Sequence, residues 1–234
     1  MHIGILQCDH VISELLPEFG DYPDMFQRLL LGVDPNLTFS VYDLTQDHFP
    51  ESVTACDSWV ITGSKWSTYD PDDWIRRAEG FIRELHTAKA PTVGICFGHQ
   101  LIAQALGGRV EKAADVGWGV GVHCTEIENC RPWMTPRQSK LSLLVSHQDQ
   151  VTQLPEGALR LAGHDFCPID MYEIGGHMLG FQGHPEFPRE YSRATMVRRR
   201  HLIGENTFAA GVESLEKSVN DSVAAQWILK FMSA

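Results

Sequence analysis

Gly94-Ile95-Cys96-Phe97-Gly98-His99-Gln100 places one cysteine between glycines, where a short apolar run meets a good helix former. The run (residues 91–95) reads as a buried strand, and residues 100–106 read as a helix ending at Gly107-Gly108. A strand that turns this sharply into a helix lifts one side chain above the sheet edge, the nucleophile-elbow arrangement. Backbone N–H groups and the positive end of the helix then lie beside the sulfur and favour the thiolate. Cys96 is therefore the candidate nucleophile for attack on an amide or ester carbonyl.

A thiol nucleophile needs a base, and Gly183-His184-Pro185-Glu186 offers one with its orienting acid. In extended chain, residues i and i+2 point the same way, and Pro185 blocks helix there. Glu186 can then hold one imidazole nitrogen of His184 and leave the other for the sulfur, the logic of a catalytic triad. The tetrahedral oxygen needs two N–H donors. Phe97, following the nucleophile, supplies one, and the turn ending the apolar run 58–62, at Gly63 and Ser64, is the candidate for the second. Ser146-His147-Gln148-Asp149 closes another apolar run, and polar groups crowded at a strand end frequently line a site. His147 is the rival base, without an acid at i+2. His184 and Glu186 lack a third ligand at zinc-like spacing, so neither a metal nor a cofactor is expected.

These residues must be positioned by a core, and 234 residues with 43% hydrophobic content are enough for one domain. Apolar runs at residues 2–6, 37–42, 58–62 and 91–95 alternate with helical patterns. Between the last two runs, Trp74, Ile75, Ala78, Phe81, Ile82 and Leu85 recur on one helical face. The succession predicts an α/β fold: a mostly parallel central sheet with helices on both faces. Shorter strands are expected around Val110, 116–122 and 159–162, and a hairpin over 171–181 with Gly175-Gly176 at its turn. Helices are expected over 190–203 and 223–231. No internal repeat and no linker is visible, so residues 1–234 read as a single domain, with a core to residue 190 and C-terminal helices beyond.

A net charge of −11 argues against nucleic acid and anionic membrane as partners. Arg198-Arg199-Arg200 is the one dense basic run and reads as a solvated helix face closed by nearby acids. Six scattered cysteines without a C-x-x-C pair suit free thiols in a reducing cytoplasm. The strand-like opening predicts no leader, and no apolar stretch reaches the roughly 18 residues of a membrane span.

Taken together, the cysteine elbow, Ser146–Asp149 and the His184/Glu186 segment resemble the class I, triad-type glutamine amidotransferase domain. The resemblance is nearest to the glutaminase domain of GMP synthase and its free-standing homologues, and runs to about residue 190. It implies a flavodoxin-like fold and hydrolysis of the glutamine side-chain amide through a γ-glutamyl thioester. It also implies that Cys96, His184 and Glu186 form the triad. Gln100, with Ser146, His147, Gln148 and Asp149, would hold the substrate's α-amino and carboxylate groups. Thr62-Gly63-Ser64 aligns with the family's Gly-Gly oxyanion strand, Ser64 standing for the second glycine, and Gln148 replaces a glycine common in the family. The leading expectation is a glutaminase that hands ammonia to a separate synthase subunit. The alternatives are a free-standing γ-glutamyl peptidase acting on other γ-glutamyl compounds and a catalytically silent regulatory module. A pocket with room beyond the γ-amide would favour the peptidase.

Overall fold

Three of the four short apolar runs, at residues 2–6, 58–62 and 91–95, become parallel strands buried on both faces, which removes polar alternation from their sequence, whereas the run at 37–42 becomes a half-exposed strand at the sheet edge. The computed structural model describes residues 1–113 and 117–234. The chain begins β1 (His2–Gln7), α1 (Leu16–Phe19), α2 (Tyr22–Leu31), β2 (Thr38–Asp43), β3 (Ser58–Ile61), α3 (Asp73–Thr87), β4 (Thr92–Ile95), α4 (Phe97–Ala105). It continues through β5 (Arg109–Lys112), β6 (Gly119–Ile127), β7 (Lys140–His147), β8 (Asp149–Gln153), β9 (Ala158–Gly163), β10 (Met171–Ile174) and β11 (Met178–Phe181). Helices α5 (Arg189–Ile203), α6 (Glu205–Ser214) and α7 (Asp221–Met232) close the chain.

Nine strands form one sheet in the order β2-β1-β3-β4-β11-β10-β9-β6-β7, and β5 pairs with β8 in a small second sheet. Pairing is parallel from β2 across to β11 and antiparallel from β11 to β7. The expected helices on both faces are present. Ile3, Ile5, Val60, Val93 and Ile95 pack with Phe26, Leu30, Trp227 and Ile228 of α2 and α7. The alternate positions Leu6, Trp59 and Ile61 pack with Ile75, Phe81, Ile82, Leu101 and Ile102 of α3 and α4. Period-two alternation thus sorts neighbouring residues of one strand into two cores.

Several elements differ from the sequence expectation, in which α1, β8 and α6 have no counterpart. The strand expected at 116–122 is β6, later and longer; residues 114–116 lie outside the described part of the chain. The crossover between β1 and β2 carries α2, started by a capping box in which Asp21 and Asp24 each accept from the other's backbone region, with Pro23 in the first turn. Among the described residues no helix is long and apolar enough to cross a membrane.

Candidate active site

The sharp turn between β4 and α4 is real and strained. Cys96 has φ +53° and ψ −102°, a conformation that side-chain-bearing residues rarely adopt. It is held by its flanks: the Cys96 N–H donates to the Phe181 carbonyl at 2.8 Å, and its own carbonyl accepts from the Gln100 N–H at 3.0 Å. A β-carbon on Gly94 would lie 2.4 Å from the Gly98 carbonyl, and one on Gly98 would lie 2.4 Å from the Ile61 oxygen. Only glycines let strand and helix backbones approach so closely. The Phe97 N–H opens α4 and is one of the donors that a helix leaves without an internal partner. The Phe97 ring is buried against Trp74, at 5.7 Å between centroids.

His184 follows β11, the parallel neighbour of β4. Its backbone N–H donates to Leu144 of β7 at 2.7 Å. The i,i+2 pairing with Glu186 is made: Nδ1 lies 2.7 Å from Oε1, with both side chains buried. Phe187 stacks on the imidazole at 3.8 Å between centroids and 9° between planes, which fixes the ring's other face. Burial pulls the imidazole toward neutrality and is the largest single influence. The charges and hydrogen bonds of Glu186 and Cys96 together outweigh it and raise His184 to about 10. An imidazolium is therefore the favoured form opposite the sulfur.

His147 is as buried as His184 but lacks its charged partners. Burial, the main cause, drives it down to about 3, so it stays neutral, and Nδ1 faces the Asp149 carbonyl at 3.1 Å. A histidine held neutral beside a backbone oxygen has no carboxylate to orient or charge it.

Gly63 approaches Cys96 and His184 so closely that a β-carbon there would stand 2.9 Å from His184 Cε1 and 3.7 Å from Cys96 Cβ. Ser64 turns its hydroxyl away to donate to the Cys8 carbonyl at 2.9 Å, which anchors the loop to the end of β1. Gln100 is buried; its amide nitrogen donates to the Asp149 carbonyl at 2.8 Å and to Gln182 at 3.1 Å. The Asp149 carboxylate accepts from Ser67 Oγ at 2.5 Å and Tyr69 Oη at 3.1 Å. Thus α4, the β7–β8 junction and the loop after β3 are tied together around one opening.

That opening is a cavity of about 480 Å³, bordered by Ser64, Cys96, Gln100 and Ser146 to Asp149. A cleft of about 20 Å³ continues past Cys96 to Gly63, His184, Phe187, Tyr191 and Arg199. All the expected site residues meet here except two that act from behind: the Phe97 ring is buried, and Glu186 sits beneath His184. Several lining residues were not foreseen. Lys65, Tyr69 and Trp118 border the cavity, and Gln182 supports Gln100 from below. The arginine run is corrected at its centre. Arg198 and Arg200 pair with Glu14 and Glu205 as expected of a solvated face. Arg199 instead turns inward to donate to Ser146 Oγ at 3.1 Å.

The structure thus places a cysteine on a strained strand–helix turn of an α/β sheet, faced by a buried His–Glu pair. A family model for class I glutamine amidotransferases matches residues 36–203, and the chain belongs to that family. It is 31% identical over 201 residues to γ-glutamyl peptidase 3 of Arabidopsis thaliana, across 82% of this chain and 81% of that one. It is 33% identical over 172 residues to a glutamine-hydrolysing GMP synthase subunit of Archaeoglobus fulgidus, across 72% of this chain and 85% of that one. The crystal structure of a glutamine amidotransferase from Thermotoga maritima shares the fold, with a TM-score of 0.75 at 19% identity over 100% and 97% of the two chains.

Proposed function

We propose that the protein hydrolyses γ-glutamyl amide bonds through a cysteine thioester, with γ-glutamyl peptides as its substrates. The carrying observation is the Cys96–His184–Glu186 arrangement between a cavity of about 480 Å³ and, past a narrow cleft at His184, a second space of about 240 Å³ that leaves room for a residue beyond the γ-glutamyl unit. The similarity to a γ-glutamyl peptidase over most of both chains supports the same reading.

In this reading His184 already holds the proton it shares with Cys96, and the sulfur, as thiolate, attacks the δ-carbonyl of the γ-glutamyl unit. The oxyanion is held by the N–H of Phe97 and one from the Gly63-Ser64 loop. Gln100 and the 146–149 segment face the α-end of the glutamyl unit, Asp149 offering a carboxylate for its ammonium. As the C–N bond breaks, His184 returns its proton to the departing amine, leaving a γ-glutamyl thioester. Water, deprotonated by His184, attacks that thioester; glutamate leaves and the thiol re-forms. Glu186 stays ionised and stabilises the imidazolium throughout.

A second reading keeps the chemistry but uses glutamine and passes ammonia to a separate synthase subunit; the likeness to a GMP synthase subunit favours it. The test is the purified chain alone against glutamine, γ-glutamyl dipeptides and glutathione, following glutamate and ammonia. Glutamate released from the peptides faster than from glutamine supports the peptidase. Hydrolysis of glutamine alone supports the synthase-linked glutaminase. No turnover of any compound overturns the peptidase; an inert chain that a γ-glutamyl chloroketone still labels at Cys96 supports a glutaminase that needs its synthase, whereas an inert and unlabelled chain overturns both.

A further inference from the structure

We infer that Arg199 recognises a free carboxylate on the departing amine, so that the preferred substrates are γ-glutamyl amino acids and short γ-glutamyl peptides with an ionised C-terminus. This rests on the proposed γ-glutamyl hydrolysis and names the part of the substrate which that reading leaves open.

The direction of departure follows from the proton. The leaving nitrogen must receive it from His184, so the amine lies on the side of Cys96 where His184 stands. The acyl side is bounded by Gln100 and Ser146 to Asp149. The amine side is the narrow cleft formed by Gly63, His184, Phe187, Tyr22, Tyr191, Thr195 and Arg199. Beyond it a further cavity of about 240 Å³ opens over α5, bordered by Tyr22, Tyr191, Thr195 and Arg199 again. Among the described residues Arg199 is the one side chain that borders all three spaces.

Its placement is built by the helix. Tyr191, Thr195 and Arg199 recur at i, i+4 and i+8, so they form one stripe of α5 facing the cleft. The start of the stripe is fixed: Tyr191 Oη meets Tyr22 Oη at 3.0 Å, and the Tyr191 ring packs on Phe187 at 4.8 Å. Phe187 in turn stacks on His184, so the stripe is registered against the proton donor itself.

The charge is unspent. Arg198 and Arg200 each have a glutamate partner, and Lys65, which also borders the opening, is held by Asp9 at 2.9 Å. Arg199 is half-buried, its guanidinium lies 5.7 Å from the centroid of the Trp118 ring, and its polar contact is the neutral Ser146 hydroxyl at 3.1 Å. Among the described residues no carboxylate pairs with it. In a chain of net charge −11, a cation kept free of acids at the mouth of a site is suited to an anionic ligand. A guanidinium can grip a carboxylate through two parallel hydrogen bonds. In a γ-glutamyl amino acid that carboxylate lies within one residue, about 3.5 Å of chain, of the scissile nitrogen.

The experiment compares γ-glutamylglycine with γ-glutamylglycinamide, which differ in that single charge. The readout is the ratio of their kcat/KM values within each protein sample, so differences in folded fraction cancel. The wild-type ratio should favour the acid by about ten- to a hundredfold, the range for a hydrogen bond to a charged group. Arg199→Met should bring the ratio to within about threefold of unity, and Arg199→Lys should retain part of the preference. A wild-type ratio near unity, or a preference that survives in Arg199→Met, overturns the inference while leaving γ-glutamyl hydrolysis standing. Failure of the wild-type protein to release glutamate from either compound overturns both.

Discussion

Replacing Glu186 with glutamine keeps the shape and one hydrogen-bond acceptor but deletes the charge that faces His184. The two side chains meet at 2.7 Å between Nδ1 and Oε1. Their charges are spread over a ring and a carboxylate, so the centres stand roughly 4 Å apart, where unit charges attract by about 4 kcal/mol at an effective dielectric near 20. At 1.36 kcal/mol per pH unit, losing that attraction lowers the imidazolium by about three pH units. The wild-type ring is raised to about 10, burial opposing and the charges of Glu186 and Cys96 prevailing. The variant ring should then titrate near neutrality.

His184 must carry a proton to release the amine, so this shift has a kinetic signature. The alkaline limb of kcat/KM should lie near pH 10 in the wild type and near pH 7 in Glu186→Gln. A chromogenic γ-glutamyl anilide, assayed from pH 5 to 10.5, gives both limbs. Stability carries the same sign. A histidine raised on folding contributes fully below its unfolded value, about 6.5, and the contribution fades as pH climbs through the folded value. The stability difference between wild type and variant, read by urea unfolding, should therefore be larger at pH 6 than at pH 10. An alkaline limb that does not move in the variant would refute the claim that Glu186 governs the charge of His184.

Further outcomes follow from the same geometry. Cys96→Ala and His184→Ala should each lower kcat by on the order of 10³-fold or more without unfolding the chain, whereas His147→Gln, at a ring already neutral, should cost at least tenfold less than His184→Ala; steady-state kinetics with circular dichroism checks all three. A γ-glutamyl chloroketone should form one adduct, at Cys96, by peptide mass mapping; burial pushes up the thiols of Cys8, Cys56 and Cys167, and exposed Cys124 and Cys130 lie outside the cavity. Gly98→Ala drives a β-carbon into the Ile61 backbone and should cost about 1–3 kcal/mol of stability with roughly 10²-fold of activity. Gly80→Ala, in α3 with open space around it, should instead stabilise by up to about 1 kcal/mol; thermal unfolding separates the signs.

The sequence exposed the parts of the site whose chemistry also dictates backbone form. Cys96 was legible because its strained turn demands small neighbours, and Gly94 and Gly98 mark that demand within two residues on either side. His184 and Glu186 were legible because extended chain projects i and i+2 together, and Pro185 enforces it. The opening strands were found within a residue: β1, β3 and β4 because burial on both faces writes a near-continuous apolar run, and edge strand β2 because Phe39, Val41 and their polar neighbours alternate. Strand β6 was misplaced because its second half, His123-Cys124-Thr125-Glu126, sets two polar residues side by side and so breaks the alternation that would mark a strand. Helix α2 had a readable start in Asp21-Tyr22-Pro23-Asp24, followed by Met25, Phe26, Leu29 and Leu30 on one face. Arg199 was not legible. A polar residue facing a site on a helix carries the same periodicity as one facing water, and only Tyr191 and Thr195, each a turn earlier, hinted at a non-solvent stripe.

Cys96 and His184, the proposed nucleophile and base, are far apart in sequence, yet they stand at the carboxyl ends of adjacent parallel strands. Phe181 of β11 pairs in register with Ile95 of β4, and the Phe181 carbonyl accepts from the N–H of Cys96 itself. One rung of the sheet therefore sets the distance between the two halves of the catalytic pair, and the loop after β11 only has to turn His184 back over it. That loop is pinned by Gln182 to Asp170, by His184 to Leu144, and by the Phe187 stack. Such a site is preorganised by strands rather than by mobile loops, as electrostatic stabilisation of a transition state requires. In the proposed reaction the departing amine would leave along α5, whose Tyr191–Thr195–Arg199 stripe borders the cleft beyond Cys96, so the sheet would fix the chemistry and one face of a helix the choice of leaving group.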